Sequence, residues 1–144
     1  VTGYAVQYSV GGLALAYGVL DQDNGAFESG KVLSASYEAG PVYVGVDSIT
    51  NQGGDDGRDM LSIGATYTMG DITFEVERKT QEGRRTDSAW QPTWKETTDT
   101  VFGVNYDLGA GLEVYAAMGT DETATSASAS TEVETTMVGL EYKF

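Results

Sequence analysis

Leu61-Ser62-Ile63-Gly64-Ala65-Thr66-Tyr67-Thr68-Met69-Gly70-Asp71-Ile72-Thr73-Phe74-Glu75-Val76-Glu77 is the stretch that decides the fold. Apolar residues occupy every second position up to Met69, and the alternation resumes at Ile72 after Gly70-Asp71. A period of two belongs to a strand with two unlike faces, and a glycine-led two-residue break between such runs is a hairpin turn. The stretch therefore reads as a β-hairpin. One face carries Leu61, Ile63, Ala65, Tyr67, Met69, Ile72, Phe74 and Val76; the other carries Glu75 and Glu77.

Working outward, the phrase Thr66-Tyr67-Thr68-Met69-Gly70 proves to be one of five. Gln7-Tyr8-Ser9-Val10-Gly11, Ser36-Tyr37-Glu38-Ala39-Gly40 and Asn105-Tyr106-Asp107-Leu108-Gly109 share its order, and Glu141-Tyr142-Lys143-Phe144 closes the chain. Internal repetition at this spacing, two strands and two connections, marks a repeated up-and-down hairpin. Nine alternating segments follow: 1–10, 12–20, 31–39, 41–49, 60–69, 71–79, 99–108, 112–120 and 133–144. Their uncharged face runs from Tyr4, Val6, Tyr8 and Val10 through Phe102, Val104 and Tyr106 to Val138, Leu140, Tyr142 and Phe144. The opposite face collects Gln7, Ser34, Ser36, Glu38, Asp47, Glu75, Glu77, Asn105, Asp107, Glu113, Glu141 and Lys143.

The connections test this division, because their lengths do not depend on how faces are assigned. Short ones at Gly11-Gly12, Gly40-Pro41, Gly70-Asp71 and Gly109-Ala110-Gly111 alternate with long ones over 21–30, 50–59, 80–98 and 121–132. All tight turns are thus expected on one rim and all long loops on the other. The tract from Thr123 to Thr131 is expected to be an exposed loop of small residues.

Composition narrows the chemistry. The 144 residues contain no cysteine and no histidine, which removes disulfides, thiolate zinc sites, imidazole metal sites and the usual His-activated nucleophiles. We expect one domain over 1–144 and no enzyme. Eight Lys+Arg against 22 Asp+Glu give a formal charge of −14, which repels a phosphate backbone and argues against nucleic acid. Glu75 and Glu77 share a face two residues apart, but nothing else converges on them as an acid–base site requires. No run approaches the ~20 apolar residues of a spanning helix, and Val1–Val6 reads as mid-strand rather than as a signal peptide.

A sheet with one apolar face buries it against another layer or in lipid. The tyrosines decide between them. Five sit beside the tight-turn rim on the apolar side, where a phenol ring lies in hydrocarbon and its hydroxyl reaches headgroups. Tyr8, Tyr37, Tyr67, Tyr106 and Tyr142, with Phe144, are expected to form an aromatic girdle. Strands of about ten residues, short turns on one rim and long loops on the other describe a transmembrane β-barrel, all-β, antiparallel and up-and-down. A soluble β-sandwich is the competing architecture.

The last strand, Thr136-Met137-Val138-Gly139-Leu140-Glu141-Tyr142-Lys143-Phe144, resembles the carboxy-terminal assembly signal of Gram-negative outer-membrane proteins. Together with the Tyr-x-apolar-Gly turns, the chain resembles the second half of a sixteen-stranded general porin of alphaproteobacterial type. The resemblance implies nine of sixteen strands here, a bacterial outer-membrane location and passive diffusion of small hydrophilic solutes and ions through a water-filled pore. It also implies a homotrimer, contact with outer-membrane lipid and lipopolysaccharide, and engagement of the barrel assembly machinery by the closing strand. Glu38, Asp47, Arg58, Glu75, Glu77, Lys79, Asp107 and Glu113 are the expected pore-lining residues.

Two alternatives stay open. A small closed barrel with an adhesion or structural role would fill its interior with side chains. The cations Lys31, Arg58, Arg78, Lys79, Arg84, Arg85 and Lys95 cluster near the long-loop rim, either along the wall or against lipopolysaccharide phosphates. No cofactor is expected, although Asp21-Gln22-Asp23-Asn24-Gly25 and Gly53-Gly54-Asp55-Asp56-Gly57 are weak candidates for Ca²⁺ without the EF-hand register.

Overall fold

A computed structural model describes residues 2–21, 30–51, 58–87, 91–126 and 129–142. They form nine strands: β1 (Thr2–Val10), β2 (Leu13–Asp21), β3 (Gly30–Ala39), β4 (Val42–Asn51), β5 (Arg58–Met69), β6 (Ile72–Asp87), β7 (Gln91–Gly109), β8 (Leu112–Ser126) and β9 (Ala129–Tyr142). Each pairs antiparallel with the next, giving one sheet in the order β1 to β9 with no crossover. There is no helix among the described residues.

The register confirms the two faces. Residues directly opposite each other in a ladder share a face, and each girdle tyrosine meets apolar partners. Tyr8 faces Leu15; Tyr37 lies between Leu13 and Val44; Tyr67 lies between Val42 and Phe74. Tyr106 lies between Ile72 and Val114, and Tyr142 faces Leu112.

A hydrogen-bonded row starting at Tyr8 passes through Leu15, Ala35, Val46, Ile63, Arg78, Thr100 and Thr120 to Glu134. Tyr37, Tyr67, Tyr106 and Tyr142 stand two, four, six and eight residues to the tight-turn side of that row. The slip is one residue per strand throughout. With about 3.3 Å per residue and about 4.8 Å between strands, a level ring of tyrosines therefore requires strands tilted by about 35°. Transmembrane barrels tilt by roughly 35–45°, so the pairing register carries the shear of a closing barrel.

None of the described residues is buried, and the sheet has no core of its own. Tyr4, Val6, Tyr8, Ile63, Met69, Phe102, Met118, Val138 and Leu140 are all more than half exposed. Leaving a Val, Leu, Ile, Phe or Met side chain in water rather than burying it costs about 1.5–3 kcal/mol. A sandwich would cover this face with a second layer; the described residues form a single sheet.

The tight turns fall where glycine predicts them. Gly70 has φ 61° and no atom near the place a Cβ would take. Gly12 has φ 83°, and a Cβ there would collide with the Glu38 carbonyl oxygen, because the Glu38 amide donates to the Gly12 carbonyl at 2.9 Å. The fourth turn places a non-glycine residue, Ala110, at φ 54°. A register shift between Asp107 and Gly109 precedes it, and the Gly109 amide donates to Asp107 Oδ1 at 2.7 Å.

The rim of expected long loops differs from expectation on one side. β6 and β7 stay paired out to Asp87 and Gln91, and β8 and β9 out to Ser126 and Ala129. Most of the expected loops over 80–98 and 121–132 is thus ladder, including most of the Thr123–Thr131 tract. Beyond a membrane both faces are wet, so the apolar alternation stops while threonine-rich backbone keeps pairing. The two candidate Ca²⁺ stretches lie outside the described residues except for the backbone of Asp21, which ends β2.

Candidate functional site

The polar face is the candidate site. Alternation turns Glu38, Asp47, Glu75, Glu77, Lys79, Asp107 and Glu113 to that side of β3, β4, β6, β7 and β8. Arg58 pairs through its backbone with Gly83 at the start of β5, and its side chain lies outside the described ones, as does Phe144 altogether.

The structure separates these residues into levels. Glu38, Asp107 and Glu113 lie beside the tight turns. Asp107 faces Glu113, which in turn faces Glu141 across β9. Asp107 also accepts from the Gly109 amide, so part of its work is to hold the fourth turn. Further along the strands, Asp47, Ser62, Lys79, Asp99 and Asp121 form one ladder row across β4 to β8. Lys79 is the cation of that row, with carboxylates on both sides.

Between these levels is the most shaped part of the wall. Glu77 stands opposite Gly64 and accepts from Ser62 Oγ at 2.7 Å. Glu75 stands opposite Gly103, and a Cβ on that glycine would overlap its carboxylate. A depression of about 280 Å³ is lined here by Tyr43, Asp47, Ser62, Thr66, Glu75 and Glu77 around Gly45 and Gly64. Three carboxylates thus converge around bare backbone on the polar face.

The sequence reading missed the two tyrosines of this face. Tyr43 lies along the wall with its hydroxyl 3.0 Å from the place a Cβ on Gly45 would take. Tyr115 covers Gly139, its direct partner across β8 and β9. An aromatic ring laid over a glycine replaces packing that the glycine lacks and keeps the ring flat against the sheet. The signal was present in the alternation, since Tyr43 and Tyr115 fall out of phase with the five girdle tyrosines.

Asp99 and Asp121, absent from the expected set, face each other across β7 and β8, and Thr123 Oγ1 donates to Asp121 Oδ1 at 3.2 Å. Among the described residues no group of three or more acids is arranged to hold a metal ion. Glu75 and Glu77 share the polar face, and the sequence has no histidine or cysteine to share chemistry with them.

A shear-carrying single-layer sheet with one apolar face, tyrosines beside its tight turns on that face, and a polar opposite face is the architecture of an outer-membrane β-barrel. The model of the Gram-negative porin family matches residues 1–143, and the chain belongs to that family. Among solved structures it is similar to a loop L8 deletion mutant of OmpT, an outer membrane protein of Vibrio cholerae, with a TM-score of 0.77 at 17% sequence identity. That match covers 99% of this chain and 52% of the Vibrio chain, so the chain spans about half the length of that protein. No curated protein matches. The outer membrane is the location that family and fold give.

Proposed function

We propose that the polar face is one part of the wall of a water-filled pore through which small hydrophilic solutes and ions diffuse passively, with no reaction and no cofactor. The observation that carries this reading is the bareness of the wall. Gly45, Gly64, Gly103, Gly119 and Gly139 occupy the polar face, and Tyr43 and Tyr115 lie flat over two of them. A small barrel of adhesive or structural role fills its interior with packed side chains; glycines at this density bring few side chains to do so.

The nine described strands begin and end running in the same direction, so an antiparallel barrel closes around them only with an odd number of further strands. With seven, a sixteen-stranded barrel at a tilt of about 35° has a backbone radius of about 15 Å. Asp47, Glu75 and Glu77 on such a wall favour cations through their summed field, and Lys79 moderates that field locally. Glu38, Asp107 and Glu113 extend the acidic wall at the tight-turn mouth.

We assign the same protein a homotrimeric state, contact with lipopolysaccharide around the outer rim and delivery to the barrel assembly machinery through β9. Any Ca²⁺ held by the outer loops is weakly bound. Single-channel recording of the full-length protein in a planar bilayer tests the central reading: discrete, ohmic current steps are expected. Properly folded protein that gives no steps would overturn it in favour of the small-barrel role.

A further inference from the structure

The apolar face is not uniform. Between β2 and β6 it sinks into a groove of about 580 Å³, floored by Ala35, Val44, Val46 and Ala65. Larger side chains of Leu13, Tyr37 and Ile63 wall it, and the one charged residue lining it is Arg78. Arg78 lies on the apolar register, opposite Ile63 and Thr100, and is exposed. No described carboxylate stands opposite it in the ladder, since the acids of β6 on the same face begin at Glu82.

Its height on the wall gives that cation a meaning. Below Arg78 the outward residues are Val76, Phe74 and Ile72, and beside it are Ile63 and Thr100; above it Thr80 and Thr98 follow, with Leu61 the last apolar one. Arg78 therefore stands where the surface changes from hydrocarbon-facing to polar, the level of lipid phosphates in a bilayer. A guanidinium is expensive in hydrocarbon and matches a phosphate with two parallel hydrogen bonds. An apolar trough ending in one unpaired guanidinium at headgroup level has the charge pattern of an amphiphile.

We propose that this groove is a specific lipid site: one acyl chain lies over Ala35 and Ala65, and the anionic phosphate headgroup of the same lipid is held by Arg78. The site rests on the outer-membrane location and not on the diffusion reading, so it stands or falls apart from channel activity. A second copy of the chain packed into the groove is the other outcome that the test must separate.

Native mass spectrometry of the full-length protein, released from detergent with equimolar phosphatidylglycerol and phosphatidylcholine of identical chains, reads the site directly. We expect phosphatidylglycerol to be retained preferentially and that preference to fall at least five-fold in Arg78→Gln. Ala65→Phe, which fills the trough and leaves the cation, should lose it as well. Lys31→Gln, at similar height on β3 but outside the groove, should not, and inorganic phosphate should not compete. Heat-modifiable migration on a detergent gel shows that each variant is folded. Equal retention of the two lipids, or loss with Lys31→Gln as readily as with Arg78→Gln, overturns the proposal. So does an Arg78→Gln protein whose subunits separate while its lipid content is unchanged, which assigns the groove to a second copy.

Discussion

Tyr115 covers Gly139, its direct cross-strand partner, so closely that the glycine has no room for even one methyl group. The two residues act as a unit on the polar face of β8 and β9. Replacing Gly139 with Ala forces the ring away from the sheet, and because the far end of the ring can swing toward the open side the cost should be about 1 kcal/mol, the low end for overpacking. Tyr115→Ala should relieve most of that cost. Urea unfolding in vesicles of the two single variants and the double variant checks it, with marked non-additivity expected because the residues touch. Additive effects would show that the ring does not rest on the glycine.

Adjacent residues of β6 offer a cleaner test of which face meets lipid. Val76 faces Ala65 and Phe102 on the apolar side; Glu77 faces Gly64 and Val101 on the polar side. Val76→Arg should destabilise the protein in a bilayer, by less than the roughly 2–4 kcal/mol that a cation costs at the midplane because Val76 lies only two residues below Arg78. Glu77→Arg should change stability far less, beyond the lost hydrogen bond from Ser62. If the two substitutions are equally damaging, the faces have been assigned wrongly.

Ion preference should follow the mid-wall acids. Removing charge at Asp47, Glu75 and Glu77 together, as Asn, Gln and Gln, is expected to move the reversal potential in a KCl gradient toward zero. The effect should be large at about 0.01–0.1 M salt and shrink at 1 M, where the screening length falls to about 3 Å. A reversal potential that the triple variant leaves unchanged at low salt would remove these carboxylates from the conduction path.

Gly70 and Gly12 separate two reasons for a glycine. Gly70 needs only its positive φ, so Gly70→Asn should be nearly neutral and Gly70→Ala should cost about 1 kcal/mol. At Gly12 the backbone of Glu38 also occupies the space of a side chain, and Gly12→Ala should cost clearly more than Gly70→Ala. Refolding yield into vesicles and urea midpoints measure the difference; equal costs would mean that the Glu38 contact yields easily.

The sheet was legible in the sequence wherever lipid lies on one side and water on the other. From Tyr4 to Leu140 the alternation assigned faces that the ladder reproduces partner by partner, and four glycine turns fixed the order of strands. The reading stopped where that contrast stops. Thr80–Thr86 and Thr93–Thr98 have water on both sides of the ladder, so they carry no period of two and read as loop, yet their pairing continues. The polar face was harder still. Alternation shows that Glu75, Glu77 and Asp47 share a side, but only the register shows that glycines stand opposite both glutamates and that Ser62 binds Glu77. Tyr43 and Tyr115 were given no place, although their parity puts them on the side opposite the five tyrosines beside the tight turns.

A sheet one layer thick has no interior of its own to collapse around, and that changes when this chain can fold. In water, closing each hairpin spends chain entropy without the reward of a dry centre; that reward arrives only as the apolar side meets acyl chains. Folding and insertion are then a single event. Melting points measured for this protein will report the thickness and composition of the surrounding bilayer as much as its amino-acid sequence.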